Sequence, residues 1–397
     1  MKNVLKRALR YLLPGGVLLL AATIVPSLAA LRDSLPALLP VSFYGVFGVG
    51  ILLAWRFDRS RLVLALLVLA LADRGLLYGG PSVSRAVALL LPLDLAALSW
   101  LSERGFLTPR GRVKLMVLLL QVLGVASLSR PELAAATTWL DHAFVESAWL
   151  RAVGLPQPAL LAFVLAFGLV AARFTRHPTV LESGSVWALG AAFLAMLAGQ
   201  AGPAPTIYFT TAALILVVSL VETSHSMAYG DELTGLPGRR ALNEALLKLG
   251  GRYAIAMVDI DHFKRFNDEH GHDVGDELLR MVGGRLADVG GGGKAYRYGG
   301  EEFAVLFPSK AVEDIVPYLE ALRVGISVSA FTVRGRRRPR EKPDRPRAGA
   351  GRKKVSVTVS IGVAEASRQH PTPERVIEAA DAALYRAKKA GRNRLCT

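Results

Sequence analysis

The sequence predicts two fold classes in series. An all-α polytopic membrane bundle of about eight helices comes first. An α+β domain follows, its central antiparallel-rich sheet flanked by helices. Three observations carry this reading. Charge is split along the chain: 27 of the first 221 residues are Asp, Glu, Lys or Arg, against 53 of the remaining 176. The first part holds eight apolar runs, each near the ~20 residues a helix needs to cross ~30 Å of hydrocarbon. Beyond residue 222, short β-rich runs alternate with segments of helical period, the pattern of a sheet with packed helices. A hydrophobic content of 52% and a mean hydropathy of +0.36 exclude a single soluble globule and intrinsic disorder alike. The one cysteine, Cys396, rules out an intramolecular disulfide and fits a cytosolic soluble part.

The apolar runs lie near 11–31, 38–57, 61–79, 83–101, 112–129, 157–174, 183–200 and 204–221. Basic residues concentrate before the first run (Lys2, Lys6, Arg7, Arg10) and in the second, fourth and sixth loops (Arg56, Arg59, Arg61; Arg104, Arg110, Arg112, Lys114; Arg173, Arg176). By the positive-inside rule these sides are cytoplasmic, so both termini lie inside a bacterial inner membrane. The first run also reads as a signal peptide with Ser27-Leu28-Ala29 as its cleavage site, which would leave seven helices and the same C-terminal side.

Three features of this half invite function. Asp94 falls mid-membrane and Asp73-Arg74 nearer the outer end, where charge is costly; a structural Asp94–Arg74 or Asp94–Arg85 pair is the plain alternative to a site. In the outer loop 130–156, Leu133, Thr137, Leu140, Phe144 and Leu150 recur at roughly helical spacing beside Trp139 and Trp149. That predicts an amphipathic helix in the outer interface, passive or serving as a ligand-sensing lid. Gly45, Gly48 and Gly50 suggest a helix-packing patch.

Residues 222–230 are expected to extend the last membrane helix as a linker, leaving 231–397 as the soluble domain. There the pattern predicts a helix at 239–249, a buried strand at 253–259, a helix at 273–289 and a flexible turn at the four glycines 290–293. Strands at 294–298 and 302–307 surround Gly299-Gly300, a helix covers 312–324, and strands at 327–333 and 355–364 form a hairpin. A helix at 373–390 ends the series. Asp259 and Asp261 close the first strand and are expected on opposite faces, serving different ligands. A calcium loop starting at Asp259 fails, because Phe263 and Lys264 fill its fifth and sixth positions and His270 its last. Glu301 and Glu302 sit on the Gly-Gly turn, and a turn carboxylate facing a strand-end carboxylate suits magnesium on nucleotide phosphates. Lys388 and Arg392, four apart, are expected on one helix face, to clamp phosphate or to be a solvated helix end. His270 and His272 read as structural.

These residues resemble the GGDEF family of diguanylate cyclases. The run Asp-Glu-Leu-Thr-Gly-Leu-Pro-Gly-Arg-Arg at 231–240 is similar to the family's entry motif. Asp-Ile-Asp-His-Phe-Lys-Arg-Phe-Asn-Asp at 259–268 continues into Gly271-His272 and Gly275-Asp276. Arg297-Tyr298-Gly299-Gly300-Glu301-Glu302-Phe303 is the signature in its GGEEF form. Thr358–Ala364, the run 382–388 and Gly391-Arg392-Asn393 complete the match. The membrane half resembles no sensor family by its motifs. The resemblance implies that two GTP molecules, one on each domain of a homodimer, condense to cyclic di-GMP and two pyrophosphates. It implies magnesium, with manganese able to replace it, at Asp259, Glu301 and the Ile260 carbonyl. Glu301 is also the implied base for the 3′-hydroxyl. Asn267 and Asp276 would read guanine, and Lys264, Lys388 and Arg392 would hold phosphates. Gly299 and Gly300 would let the backbone approach the nucleotide, and Glu302 belongs to site architecture.

Departures from the family pattern are as informative. Gly238 stands where the family usually has Asn. An insert at about 334–354 carries 11 Lys/Arg against Glu341 and Asp344, which predicts disorder. It reads as a solvated loop, with attraction to anionic membrane lipid as its functional alternative; nucleic acid is not an expected partner. The family's product-binding Arg-x-x-Asp would fall at Gly290 and Gly293, so no allosteric product site is expected. Rival readings are a degenerate GTP-binding regulatory module and a transporter with a regulatory tail. The signal ligand of the membrane half is not identified by these residues.

Overall fold

The computed structural model describes residues 2–28, 34–103, 108–199, 202–333 and 353–397. The basic insert therefore lies outside the described residues, apart from Lys353 and Lys354. The chain divides into two compact units, Met1–Ser224 and His225–Thr397.

The first unit is helical. Its elements are α1 (Lys2–Ile24), α2 (Leu35–Arg56), α3 (Ser60–Tyr78), α4 (Gly80–Trp100), α5 (Pro109–Ser127), a 3-10 segment (Pro131–Asp141), α6 (Ala148–Ala152), α7 (Gln157–Arg176), α8 (Val180–Leu197) and α9 (Ala204–Tyr229). Each predicted apolar run falls on one of these helices. Five of them are long and apolar enough to cross a membrane, at Ala37–Arg56, Gly80–Trp100, Gln157–Arg176, Val180–Leu197 and Ala204–Tyr229. Eight spans are thus not established: Arg61, Asp73 and Arg74 interrupt α3, and Arg112 and Lys114 open α5. Small residues let the helices approach closely, with Ala166 and Ala191 fully buried.

Several expectations for this unit are corrected. Asp94 pairs with neither arginine: Gln121 Nε2 donates to its Oδ2 at 2.6 Å. Arg74 binds its own neighbour Asp73, and Arg85 pairs with Asp141 at 2.9 Å. The outer loop is no amphipathic α-helix but the 3-10 segment and the five-residue α6. Thr137 and Leu140, three apart, suit the 3-10 period and are buried, whereas Phe144 and Trp149 are exposed. Of the glycine patch only Gly50 is packed; a Cβ there would lie 2.6 Å from Val217, while Gly45 and Gly48 meet nothing.

The second unit adds α10 (Arg239–Leu247), β1 (Tyr253–Ile260), α11 (Phe263–His270), α12 (His272–Ala287), β2 (Lys294–Gly299), β3 (Glu302–Pro308), α13 (Val312–Ser327), β4 (Phe331–Val333), β5 (Lys353–Val355), β6 (Val359–Glu365), α14 (Pro373–Lys389) and β7 (Leu395–Cys396). The main sheet has the order β2-β3-β1-β6-β7, antiparallel except for the β6–β7 pair. Every residue of β1 is buried, and strand alternation explains its two cores. Ala254, Ala256, Val258 and Ile260 join Leu278, Val282, Ile315 and Leu319 of α12 and α13. Tyr253, Ile255 and Met257 face Leu242, Val376, Ala380 and Leu384 of α10 and α14. Helices therefore cover both sheet faces.

Two predicted elements change. The strand expected at 355–364 splits: β5 pairs with β4 in a separate two-stranded sheet, and β6 pairs with β1 in the main one. The helix α11 was not expected at all. Its eight residues carry only Phe263 and Phe266 as buried apolar signal, too few to show a period. The glycine run is also more than a flexible turn. Gly291 and Gly292 have φ of +68° and +78°, and a Cβ on Gly290 or Gly293 would come within 2.7 Å of the Tyr318 ring or 2.6 Å of Phe307.

Candidate active site

The signature turn joins β2 to β3, and β3 pairs with β1 so that Glu302 lies opposite Asp259. Folding thereby brings Glu301 to the end of the buried strand that carries Asp259. Glu301 lies near enough to Asp259 for the Asp259 charge to act on it. Burial raises the Asp259 carboxyl above its usual range; the Lys388 ammonium pulls it back in part, and Asp261 and Asp381 push it up further. Glu301 is likewise raised, by burial first and then by Asp259. Lys388 Nζ sits 2.9 Å from Asp259 Oδ2. The odd-numbered face of β1 points towards α14, which is why this lysine reaches it.

This arrangement fits a divalent cation. The two carboxylates offer oxygen donors only, as a hard ion prefers. Lys388 supplies positive charge to Asp259 in the structure as it stands. Among the described residues no three His, Cys, Asp or Glu cluster as a metal site, so phosphate oxygens and water would complete the shell. Because burial raises both carboxyl pKa values, ionising them costs stability in the metal-free unit. That unit gains stability as pH falls through the raised values towards the unfolded ones. Magnesium is therefore expected to raise the melting temperature of the 225–397 unit at pH 8, and progressively less as the pH falls through the raised carboxyl values. Equal shifts at every pH, or none at pH 8, in paired thermal melts would contradict this.

Asp261 is a different kind of group. Asp261 lies one residue beyond β1, yet it bonds the Ser360 hydroxyl, and Ser360 pairs with Asp259, so the expectation of opposite faces fails. What separates the two aspartates is their partners. Asp261 accepts from Thr358 Oγ1 at 2.7 Å, Ser360 Oγ at 2.7 Å and the Asn393 amide at 3.1 Å. It ties the end of β1 to β6 and to the turn after α14. The motif residues around Thr358 and Asn393 thus have a structural use that their spacing did not disclose.

That turn also alters the phosphate clamp. Helix α14 ends at Lys389, and Arg392 has φ of +60° beyond it. Lys388 and Arg392 therefore do not share a helix face. Arg392 is exposed on the turn held by Asp261, and Lys264 is exposed on α11. Neither has an ion pair among the described residues.

The candidate base readers lie on α11 and α12. Asn267 and Asp276 are half-buried. Asn267 Oδ1 is buried without a hydrogen-bond partner. Gly275 is what admits it, since a Cβ there would lie 1.8 Å from that oxygen. Within the run Gly275-Asp276 no local signal marks Gly275 for this role.

The entry loop is fixed to the signature. Arg297 Nη1 donates to both Asp231 oxygens at 2.9 Å, and its Nη2 to the Gly300 carbonyl at 2.8 Å. Burial alone would raise Asp231, but hydrogen bonds from Thr234 and Arg297 outweigh it and hold the carboxyl below its usual range. Gly238 precedes α10 without a capping side chain, and its amide donates to the Tyr229 carbonyl at 2.7 Å. Gly299 and Gly300 complete the hairpin, where the β2–β3 register shifts.

Comparison with known proteins finds similar chains. The model of the diguanylate cyclase GGDEF domain matches residues 228–394. Diguanylate cyclase DgcP of Pseudomonas aeruginosa is 38% identical over 45% of this chain and 25% of its own. The response regulator PleD of Caulobacter vibrioides is 39% identical over 44% of this chain and 37% of its own. The chain thus spans well under half the length of these curated relatives. A solved coiled-coil and GGDEF domain of DgcB from Caulobacter crescentus, in complex with c-di-GMP, is 34% identical over 44% of this chain and 88% of that one, with a TM-score of 0.38. Residues 228–394 are a GGDEF domain of the diguanylate cyclase family.

Proposed function

We propose that the chain is a membrane-bound diguanylate cyclase, regulated by its helical N-terminal unit and active as a homodimer. The observation that carries this is the buried Asp259 facing Glu301 on the signature turn, with the Lys388 ammonium against it. Magnesium, or manganese, held by Asp259, Glu301 and the Ile260 carbonyl would neutralise phosphate charge and acidify the attacking hydroxyl. Glu301 would accept the 3′-hydroxyl proton. That hydroxyl attacks the α-phosphate of the GTP on the facing domain, and pyrophosphate leaves. Two such events convert two GTP into one cyclic di-GMP and two pyrophosphates. Lys388 and Arg392, joined by Lys264, would balance the β- and γ-phosphates. The unpartnered oxygen of Asn267 suits the guanine amino group, and Asp276 the adjacent N1–H. The continuous helix α9, which runs from residue 204 to 229, would carry changes in the membrane unit to the spacing of the two catalytic domains.

Five apolar helices support membrane residence. The basic-residue asymmetry supports an inner-membrane protein with both termini cytoplasmic. GTP, a second copy of the chain, membrane lipid and a signal ligand are the proposed partners; nucleic acid is not one. The test is incubation of purified full-length protein with GTP and magnesium, with the product identified by mass. Cyclic di-GMP is expected. Bound GTP recovered unchanged would favour the degenerate regulatory module.

Product feedback is proposed to be absent at the usual position. Tyr318 and Phe307 crowd the glycine turn 290–293, which holds neither guanidinium nor carboxylate. Initial rates of the 225–397 unit are expected to be unchanged by submicromolar cyclic di-GMP. Inhibition in that range would place a product site elsewhere on the unit.

A further inference from the structure

An open pocket of about 380 Å³ lies between α3, α4 and α5 of the first unit. That volume is in the range of sites that bury a small organic ligand, about 300–1,000 Å³. Its walls are mostly apolar, with Val68 and Leu71 from α3, Val87 and Leu91 from α4, and Val122 and Val125 from α5. Five polar side chains also line it, of which Tyr78 is largely exposed, with the Arg74 guanidinium 5.9 Å from its ring. Arg74 is already committed, ion-paired to Asp73 and stacked 4.1 Å over the Phe43 ring. Ser129 donates to the Ala126 carbonyl. The other two are Asp94 and Gln121, which bond to each other through Gln121 Nε2 and Asp94 Oδ2. Among the described residues, that amide is the Asp94 carboxylate's one hydrogen-bond partner. Its second oxygen, and the Gln121 carbonyl, remain as acceptors at the wall of an apolar chamber.

A carboxylate so placed is costly while its charge is unpaired, and a cation with N–H donors repays that cost. A neutral apolar guest would satisfy the walls and leave the acceptors unmet. An anion would be repelled. We infer that this cavity is a binding site for a small apolar amine in its protonated form, its ammonium held by Asp94 and Gln121 and its hydrocarbon body by α3, α4 and α5. The consequence for output rests on the proposed regulation by the membrane unit; the binding itself does not.

The test uses the full chain in nanodiscs of zwitterionic lipid, with empty nanodiscs as the blank for partitioning. The probe is 1-adamantylamine, with 1-adamantanol as the uncharged analogue of the same shape. Saturable binding of the amine above the blank is expected, at least tenfold tighter than the alcohol. Asp94→Asn, which keeps the shape, should weaken the amine tenfold or more and leave the alcohol little changed. Val122→Phe, which fills the chamber, should weaken both. No saturable binding, or equal affinity for amine and alcohol in the unaltered protein, overturns the proposal by showing a cavity for lipid chains alone. That comparison needs no variant, so a misfolded Asp94→Asn protein does not shelter it. Cyclase rate with and without amine is read separately. Saturable binding with an unchanged rate upholds the site and counts against regulation through it.

Discussion

Glu301→Gln and Asp259→Asn are each expected to reduce cyclic di-GMP formation by about 10³-fold or more, to background. Each substitution keeps the side-chain shape and removes one anionic oxygen ligand from the site where phosphate charge must be neutralised. A metal-centred interaction of this kind is worth several kcal/mol in the transition state, and about 4 kcal/mol corresponds to that factor. The fold should persist. Both carboxyls are raised by burial, so neutralising either relieves a cost in the metal-free unit. Lys388 keeps enough exposure to reach water when Asp259 is neutral, its side chain being 33% accessible. The measurement is product mass and rate, with circular dichroism as the check on folding. A well-folded variant that turns over GTP at a near-native rate would remove both residues from the mechanism.

Gly362→Val should have the largest effect on stability. Gly362 lies in β6 opposite Met257, on the sheet face that α14 covers. A Cβ at this position would fall 2.0 Å from the Leu384 amide nitrogen and 2.2 Å from the Ala380 carbonyl oxygen. Both are backbone atoms of α14, so no side-chain rotation relieves the clash. The helix must move off the sheet, breaking the Leu384 and Ala380 contacts and displacing Lys388 from Asp259 further along the same helix. Overpacking of this kind costs about 3 kcal/mol or more. For a unit of this size that is a fall of about 10 °C in melting temperature, read by calorimetry on the 225–397 unit. Activity should fall with it. A variant that melts with the native unit would show that α14 is not held against β6 as described.

The two substitutions probe different kinds of information. Glu301 and Asp259 were legible because their motif places a carboxylate after a buried apolar strand and another on a Gly-Gly turn. The part played by Gly362 was not, since a glycine within a β-branched run looks the same whether a helix or water lies above it. Asp261 repeats the lesson. From sequence it was a second acid beside the first; in the fold it is consumed by Thr358, Ser360 and the Asn393 amide. The clamp assigned to Lys388 and Arg392 failed as a helix face because α14 stops at Lys389, and four-residue spacing carries meaning only while the helix continues.

In the membrane unit the division is sharper. Hydropathy located the eight long helices of this unit but not the short α6, because transfer of apolar side chains out of water is a local, additive property of each run. Pairing among polar groups was not additive. Asp94 found Gln121 and Arg85 found Asp141, and nothing along the chain ranks one such partner above another. By itself the sequence determined a helical first unit and an α+β second unit, most helix and strand positions, and the family of the second unit, since these depend on local period and on contiguous motifs. Only the tertiary structure decided which carboxylates stay free for a ligand, where the β5 and β6 segments pair, and that a cavity opens beside Asp94. Each of those depends on atoms brought together from distant parts of the chain, where contact distance, and not residue type, sets the energy.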